Sequence, residues 1–282
     1  MSASSPFPSG HDRAAAVTRL RAAGCVFAED EARLLVSAAQ TPAGLAAMVD
    51  RRAAGQPLEH VLGWAEFCGL RVAVDPGVFI PRRRTEFLVR RAAALARRAT
   101  GAARQDPARR DPVPPRAVVV VDLCCGSGAL GVALASRVED VELHAADVDP
   151  AAVRCARQNL PAGHVYEGDL YGPLPAGLRG RVQVLAANVP YVPTGEIRYL
   201  PPEARVHEPS AALDGGQDGL DVLRRVAAGA LAWLAPGGHL LSETSERQAP
   251  LAGGVLAAAG LTARVVSSDD LGATIVIGQR PR

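Results

Sequence analysis

The stretch AVVVVDLCCGSGALG, residues 117–131, decides the fold. Its first five residues form a largely β-branched run without polar alternation, which is typical of a parallel strand buried on both faces. A glycine-rich turn follows this strand, and a helix is predicted from the turn up to about Ser136. A strand, a tight turn and a helix in this order indicate one βα unit of a parallel sheet.

The chain after this unit continues the same alternation of strands and helices. The predicted strands lie at 141–146, near 165, and at 182–187, 239–242, 262–266 and 274–277. The predicted helices between them lie at 150–159, 217–234 and 247–259. Such alternation indicates a doubly wound α/β sheet. Because only residues 267–272 join the last two strands, we expect a final hairpin and one antiparallel strand.

The chain before residue 117 has a different character. Residues 11–60 carry apolar positions at helical spacing and predict short helices. The alternating segment 69–74, a turn signal at 75–77 and a short apolar run at 78–80 predict a β-hairpin. A helix is predicted from Thr85 to Arg98. Residues 100–116 hold four prolines among arginines and aspartates, which predicts an exposed, flexible loop.

Composition narrows the class of protein. At 282 residues, with 48% hydrophobic and 21% charged residues, the chain suits a soluble globular protein with one large domain and a small companion. The net charge of +2 gives no indication of a nucleic-acid or anionic-membrane partner. The five cysteines form no metal-ligand spacing and suit a reducing compartment. The first residues lack a secretory pattern, so we expect a cytoplasmic protein.

The glycine-rich turn is the first candidate site, because glycines let the backbone approach a ligand at a helix N-terminus. The next strand ends at Asp147, about 20 residues after Gly126, where a carboxylate can accept both ribose hydroxyl hydrogens of an adenosine. Gly126, Gly128 and Gly131 also satisfy the nicotinamide-dinucleotide fingerprint. However, Asp122 at the strand end would repel a pyrophosphate and suits the ammonium of a methionine moiety. The loop therefore favours a methyl donor, with a dinucleotide and a turn without any ligand as alternatives.

The second candidate site is Asn188-Val-Pro-Tyr191, directly after the fourth strand of the sheet. An amide nitrogen is a poor nucleophile, because its lone pair is delocalised into the carbonyl. Two fixed acceptors, the Asn188 side-chain oxygen and the Val189 carbonyl, can hold its two N–H hydrogens and orient that lone pair. Pro190 restricts Val189 to extended geometry, and Tyr191 can stack on a planar amide. The alternative is a proline-stiffened turn that only closes the strand.

Over nearly its whole length the chain resembles the release-factor-type protein-(glutamine-N5) methyltransferases. The glycine-rich loop is similar to the family's donor loop, and Asn188 to Tyr191 match its NPPY motif. Thr85-Glu86 match the end of its PRPETE-like stretch. Further similar segments are the linker residues 55–63 and 76–82, and the most family-specific residues, 208–209 and 212–220.

The resemblance implies a class I S-adenosylmethionine-dependent methyltransferase fold, a seven-stranded, Rossmann-like α/β sheet. It implies a helical domain for substrate recognition at 1–62, a β-hairpin linker at 63–84 and a catalytic domain at 85–282. Catalytic and substrate-binding roles fall on Asn188, Val189, Pro190 and Tyr191. The implied S-adenosyl-L-methionine contacts are Asp122, Cys124, Cys125, Gly126, Ser127, Gly128, Asp147, Asp169, Leu170 and Asn188, with Asp169 and Leu170 at the adenine.

The expected activity is methylation of a glutamine side-chain nitrogen in a release factor or another translation protein. Val189, Cys124, Arg83 and Arg84 depart from the family pattern, where proline, glycine, proline and glutamate are usual. The alternatives are an adenine-N6 nucleic-acid methyltransferase, a nicotinamide oxidoreductase and a scaffold without activity.

Three charged runs lie outside these motifs. His207-Glu208 and residues 214–218 are interpreted as loop caps and turns rather than as acid/base or metal sites. The arginine run 82–84 is either a solvated face or a contact for an acidic partner.

Overall fold

The structure is a computed structural model that describes Pro8, residues 10–104 and residues 117–282. The α-helices of these residues are α1 (Gly10–Ala22), α2 (Ala28–Ala38), α3 (Pro42–Ala53), α4 (Leu58–Leu62), α5 (Glu86–Arg104), α6 (Ala129–Ala135), α7 (Pro150–Asn159), α8 (Pro202–His207), α9 (Asp221–Trp233) and α10 (Ala249–Ala258). The strands are β1 (Trp64–Phe67), β2 (Leu70–Ala73), β3 (Val118–Leu123), β4 (Val141–Asp147), β5 (His164–Glu167), β6 (Val182–Ala187), β7 (Leu234–Thr244), β8 (Thr262–Ser268) and β9 (Ala273–Gln279).

Seven strands form one sheet in the order β5-β4-β3-β6-β7-β9-β8. Strand β3 pairs in parallel with β4 on one side and with β6 on the other. Strand β9 runs antiparallel to both β7 and β8. The predicted doubly wound sheet, its final hairpin and its one antiparallel strand are therefore confirmed. Because the strand order reverses around β3, the carboxyl ends of β3, β4 and β6 form the crevice where such sheets bind ligands.

Both faces of the sheet are covered, which explains the uninterrupted valine run of β3. Val118 and Val120 point into a core with α5 and α6, while Val119 and Val121 point into a second core with α9 and α10. Each of these four valines is less than 5% exposed. A strand buried on both faces has no solvent side on which polar residues would alternate.

The N-terminal helices α1 to α4 enclose a smaller core of their own, formed around Leu20 and Leu35. Strands β1 and β2 follow as a hairpin with the two-residue turn Cys68-Gly69. Both turn residues have positive φ, 56° and 78°, as the tightest hairpin turns require. The predicted strand at 69–74 is confirmed as β2, but its predicted partner at 78–80 is wrong, because the chain reverses at Cys68-Gly69 and residues 78–80 form no strand.

Two further boundaries differ from the prediction. Helix α5 continues to Arg104 rather than ending at Arg98, because alanine and arginine favour helix and no proline occurs between Pro81 and Pro107. The rest of the predicted flexible loop, 105–116, lies outside the described residues. Helix α9 begins at Asp221 rather than at 217, since the preceding glycines form a tight loop. No helix in the described residues has the length and hydropathy needed to cross a membrane.

Candidate functional site

The carboxyl ends of β3, β4 and β6 open into a cavity of about 430 Å³. We call it the first cavity. Among the residues that line it are twelve of the thirteen predicted site residues, namely Asp122, Cys124, Cys125, Gly126, Ser127, Asp147, Asp169, Leu170, Asn188, Val189, Pro190 and Tyr191. The fold thus brings the glycine-rich loop and the Asn-Val-Pro-Tyr segment to one place.

Gly128 is the predicted site residue that does not line the first cavity. It stands at the N-terminus of α6 with a φ of 75°. A Cβ atom there would lie 3.0 Å from Leu160 Cδ1 and 3.2 Å from the Cα of Ala156. The missing side chain lets α6 pack closely on α7, so the structure gives Gly128 a packing role.

Asp122 ends β3 with a side chain that is almost fully buried. Its Oδ2 accepts a hydrogen bond of 3.2 Å from the Gly131 N–H, whereas its Oδ1 has no partner in the part of the chain that the structure describes. Burial raises the pKa of this carboxyl to about 8, and the nearby Asp147 charge adds to the rise. A buried acid with one free oxygen fits a cation, such as the ammonium of a methionine moiety.

Asp147, at the end of β4, fastens the glycine-rich loop to its own strand. Its Oδ2 accepts from the Gly126 N–H at 2.8 Å, and its Oδ1 accepts from the Asp149 N–H at 2.9 Å. Burial raises the pKa of this carboxyl above its ordinary value. Each carboxylate oxygen keeps further acceptor capacity, so the residue still suits a diol.

Cys124 stands where the family pattern has glycine, and it adopts the backbone that glycine favours. Its φ is 55°, in the left-handed region that few L-residues enter. Burial raises the pKa of both the Cys124 and the Cys125 thiol, so neither is a thiolate at neutral pH. This agrees with the interpretation of both as small loop residues rather than a redox pair.

Asp169 and Leu170 lie after β5 at the rim of the first cavity. Asp169 forms an ion pair with Arg225 of α9, and both side chains are more than half exposed. Leu170 has a φ of 48°. Arg225 also lines the cavity, and sequence reasoning missed it because only the fold brings α9 beside the loop that follows β5.

Asn188 carries the second unpaired polar atom of the first cavity. Its side-chain Oδ1 is buried and has no hydrogen-bond partner among the described residues. The strand before it is anchored by a 2.8 Å hydrogen bond that Ser242 Oγ donates to the Ala187 carbonyl. Buried oxygens without partners are rare in proteins, because each forfeits its hydration, and this oxygen suits an N–H donor of a bound molecule.

The glycine-rich segment 213–219 packs directly on the backbone of the Asn-Val-Pro-Tyr loop. A Cβ atom at Gly215 would lie 2.7 Å from the Pro190 carbonyl oxygen, and one at Gly219 would lie 2.3 Å from that of Tyr191. The Val192 N–H donates to the Leu213 carbonyl at 3.0 Å. Sequence reasoning found this segment only by its family resemblance, although its three closely spaced glycines were a signal of close backbone contact.

Tyr191 is held by a network that sequence reasoning missed. Its hydroxyl donates to Glu243 Oε1 at 2.8 Å and accepts from Arg84 Nη2 at 2.7 Å. The Arg84 Nε donates to the same Glu243 oxygen at 2.8 Å, and Thr85 Oγ1 donates to Glu243 Oε2 at 2.6 Å. Burial raises the pKa of the Tyr191 phenol, which therefore stays protonated. The only signal of Glu243 was a polar residue at the end of an apolar strand.

The structure also shows the contacts of the charged runs outside the motifs. Arg82 Nη2 contacts both carboxylate oxygens of the buried Glu208 at 2.6 Å. With Arg84 on Glu243, two of the three arginines form internal ion pairs, so neither interpretation of the run as a whole is right. Asp214 accepts from Thr194 Oγ1 and from a backbone N–H of its own turn. The interpretation of Glu208 and Asp214 as structural loop residues is confirmed.

Comparison with known proteins gives the family. A model described as "Methyltransferase small domain" matches residues 112–193. The release factor glutamine methyltransferase of Geobacter sulfurreducens is 36% identical over 237 residues, which cover 83% of this chain and 76% of that protein. The 4-amino-L-phenylalanine/4-methylamino-L-phenylalanine methyltransferase of Streptomyces pristinaespiralis is 35% identical over 244 residues, covering 84% of this chain and 77% of that protein.

A solved structure shares the fold. The T. thermophilus 16S rRNA N2 G1207 methyltransferase (RsmC) matches with a TM-score of 0.50 and 19% identity, covering 77% of this chain and 49% of that chain. The fold is the class I S-adenosylmethionine-dependent methyltransferase fold, as predicted, and the cofactor is S-adenosyl-L-methionine. On the identity and coverage of its relatives, the chain belongs to the release factor glutamine methyltransferase family.

Proposed function

We propose that this protein methylates the side-chain amide nitrogen of a glutamine in another protein, and that a peptide chain release factor is its substrate. The observation that carries the proposal is the buried, unpaired Oδ1 of Asn188 in the same cavity as the buried, unpaired Oδ1 of Asp122. The first oxygen suits an amide N–H donor, and the second suits the ammonium of the methyl donor. Family membership supports the same reaction.

The residues of the first cavity can perform this reaction without a catalytic base. When bound, S-adenosylmethionine supplies a methyl group on a positively charged sulfur. Asn188 Oδ1 and the Val189 carbonyl hold the two amide hydrogens, so that the nitrogen lone pair faces the donor. Tyr191 forms the wall on which the planar carboxamide rests. The methylated nitrogen is strongly acidic, and its proton passes to water.

Asp122 and Asp147 are the residues that would hold the donor. Asp122 provides a carboxylate for the ammonium, and binding of that cation favours the charged form of the acid. Asp147 offers its remaining lone pairs to the ribose hydroxyls. The backbone next to these two acids is fixed by the glycine-rich loop. Cys124, Gly126 and Gly128 have positive φ, and the Gly126 N–H donates to Asp147.

A second candidate acceptor is the amine on the ring of an aromatic amino acid. The relative from Streptomyces pristinaespiralis that is named for 4-amino-L-phenylalanine favours this reading. An aromatic amine, like a carboxamide, is planar and carries two hydrogens that the same pair of acceptors can hold. The two acceptors differ in what lies beyond the nitrogen, which is a polypeptide in one case and a single amino acid in the other.

The test is methyl transfer to purified release factor, followed by mass spectrometry of its glutamine-containing peptides. We expect the wild-type protein to add one methyl group to a glutamine. Asn188→Ala should lower turnover at least about 100-fold, because one of two fixed acceptors is lost. Its affinity for S-adenosylhomocysteine, measured by calorimetry, should be unchanged, whereas Asp147→Ala should weaken that affinity. Full turnover by Asn188→Ala would refute the proposed grip on the amide.

A further inference from the structure

A second cavity of about 700 Å³ adjoins the first one. We call it the second cavity. Its lining includes Thr244 and Ser245 at the end of β7 and the turn between β8 and β9. Four residues line both cavities, and these are Arg84, Tyr191, Val192 and Leu200. These four residues form the boundary between the two cavities.

Thr244 supplies an observation that points to a ligand in the second cavity. The residue is 4% exposed, and its Oγ1 is one of three buried side-chain atoms without a hydrogen-bond partner in the described ranges. The other two are Asp122 Oδ1 and Asn188 Oδ1, which lie in the first cavity. The second cavity thus contains a polar group of the same kind as the two groups of the proposed reaction site.

Arg84 offers further hydrogen-bond donors at the boundary between the cavities. Its Nε and Nη2 are engaged with Glu243 and Tyr191, while its Nη1 makes no hydrogen bond within residues 10–104 or 117–282. The side chain is about half exposed. A guanidinium edge of this kind binds carbonyl oxygens. The rest of the second cavity also has many hydrogen-bonding side chains, including Ser245, Gln248, Ser267, Ser268 and Thr274.

The charges of the second cavity disfavour an anionic occupant. Arg247 and Glu196 neutralise each other in an ion pair. Glu246 and Asp269 add negative charge to the lining. A nucleic-acid strand, with one negative charge per nucleotide, would be repelled there. An extended polypeptide presents neutral N–H and C=O groups that match the unpaired hydroxyl and guanidinium.

We propose that the second cavity is a subsite for the polypeptide that flanks the methylated residue, with Thr244 and Arg84 as contacts to its backbone. This inference rests on the proposed function and specifies the substrate class of the same site. A free amino acid, with its amine in the first cavity, would leave most of the second cavity without a partner. Contacts in this subsite would therefore distinguish a residue within a chain from a single amino acid.

The experiment measures methyl transfer from tritiated S-adenosylmethionine to purified release factor and to free 4-amino-L-phenylalanine. Ser268→Trp fills the second cavity, and Thr262→Trp is its matched control, because Thr262 is an exposed residue of the same strand outside both linings. We expect Ser268→Trp to raise the KM for release factor at least about tenfold. Its kcat and its affinity for S-adenosylhomocysteine should match those of the control.

Thr244→Val removes only the unpaired hydroxyl, and Thr262→Val is its control. Loss of one hydrogen bond to the substrate should raise the KM about three- to tenfold and leave kcat unchanged. If wild-type protein methylates release factor while both Ser268→Trp and Thr244→Val keep the control KM, the subsite is wrong and the proposed function stands. If only the free amino acid is methylated, or no acceptor at all, both proposals are refuted.

Discussion

Asp122 shows at the scale of one residue how the fold prepares a site for a cation. The carboxyl is buried at the end of β3, and its pKa of about 8 means that it is mostly protonated at neutral pH. Its preferred partner is positively charged and requires the carboxylate form. Under the proposed assignment, binding of the donor's ammonium releases a proton from Asp122 below about pH 8.

This linkage predicts the pH dependence of donor affinity. The dissociation constant of S-adenosylhomocysteine, measured by calorimetry, should fall as the pH rises from about 6 to about 8, since Asp122 loses its proton through this range. In Asp122→Asn the affinity should be weaker, and this part of its pH dependence should vanish. Parallel pH profiles for wild type and variant would contradict the assignment.

Asp122 should also affect folding stability, which changes with pH in the direction opposite to donor affinity. The raised pKa lies above the ordinary value of 3.8, so the folded state holds the proton more tightly than the unfolded state does. The contribution of Asp122 to stability is thus greatest at low pH and is lost as the pH rises from about 4 to about 8. In urea unfolding, Asp122→Asn should gain more unfolding free energy at pH 9 than at pH 5.

At the scale of elements, the segment 213–219 and the loop after β6 behave as one unit. Their contacts are between backbone atoms, and glycine is present where a Cβ atom would meet a carbonyl oxygen. Gln248 of the β7–α10 connection joins them, because its Nε2 donates to the carbonyls of both Tyr191 and Asp218 at 2.9 Å. The direction of the Asn-Val-Pro-Tyr loop is therefore set by the backbone of segment 213–219 and by Gln248.

Gly215→Ala tests this dependence. Its methyl group would have to displace the Pro190 carbonyl, 2.7 Å away, and such overpacking typically costs about 1–3 kcal/mol of stability. Turnover should fall at least about tenfold, since small misplacements of reacting groups are costly. The control is Gly195→Ala, where an added Cβ meets nothing within 4 Å. Equal kcat for the two variants would contradict the role of the segment.

At the scale of the whole molecule, one arginine ties the N-terminal helices to the wall of the first cavity. Arg52 of α3 forms two hydrogen bonds, 2.7 and 3.1 Å long, with Glu31 of α2. Its Nη1 reaches Glu203 of α8 at 2.7 Å, and Glu203 lines the first cavity. We propose the division into a helical domain (1–62), a hairpin linker (63–84) and a catalytic domain (85–282), with this contact between the first and the last.

Replacing Arg52 should destabilise the protein strongly. In Arg52→Met the nearly buried Glu31 carboxylate loses its partner, which typically costs about 3–5 kcal/mol. Glu203 is about half exposed, so Glu203→Gln should cost no more than about 1 kcal/mol. Urea unfolding of the two variants measures both values. Similar losses of unfolding free energy in the two variants would mean that Arg52 is not needed to compensate the buried charge of Glu31.

The sequence predicted the sheet because its signals are local. Runs such as 118–121 and 182–187 report burial directly, and strand ends place Asp122, Asp147 and Asn188 at one edge. The Arg84, Tyr191 and Glu243 network could not be predicted in this way. Its partners lie 107 and 159 residues from Arg84 along the chain, and only the packed fold brings them together.

The positions of turns and helix ends depended on single residues rather than on the apolar pattern. The hairpin turn falls on Cys68-Gly69, where a cysteine adopts a backbone that sequence rules reserve for glycine or asparagine. A proline-glycine pair at 76–77 gave a stronger turn signal, although no paired strand follows it. The end of α5 was also misplaced. The first proline after the helix begins is at residue 107, so no helix-ending residue stands near Arg98.

The close contact between the backbone of segment 213–219 and that of the Asn-Val-Pro-Tyr loop has a consequence for redesign. At the position of Val189 the proposed reaction uses a carbonyl, which every amino acid possesses, so we expect that this side chain can vary without loss of the grip on the amide. The glycines behind it have no such freedom, because a Cβ atom at Gly215 or Gly219 would meet a main-chain oxygen and one at Gly216 would meet the Asp221 carboxylate. Attempts to retarget the enzyme should therefore leave residues 213–219 intact and alter the serines of the second cavity instead.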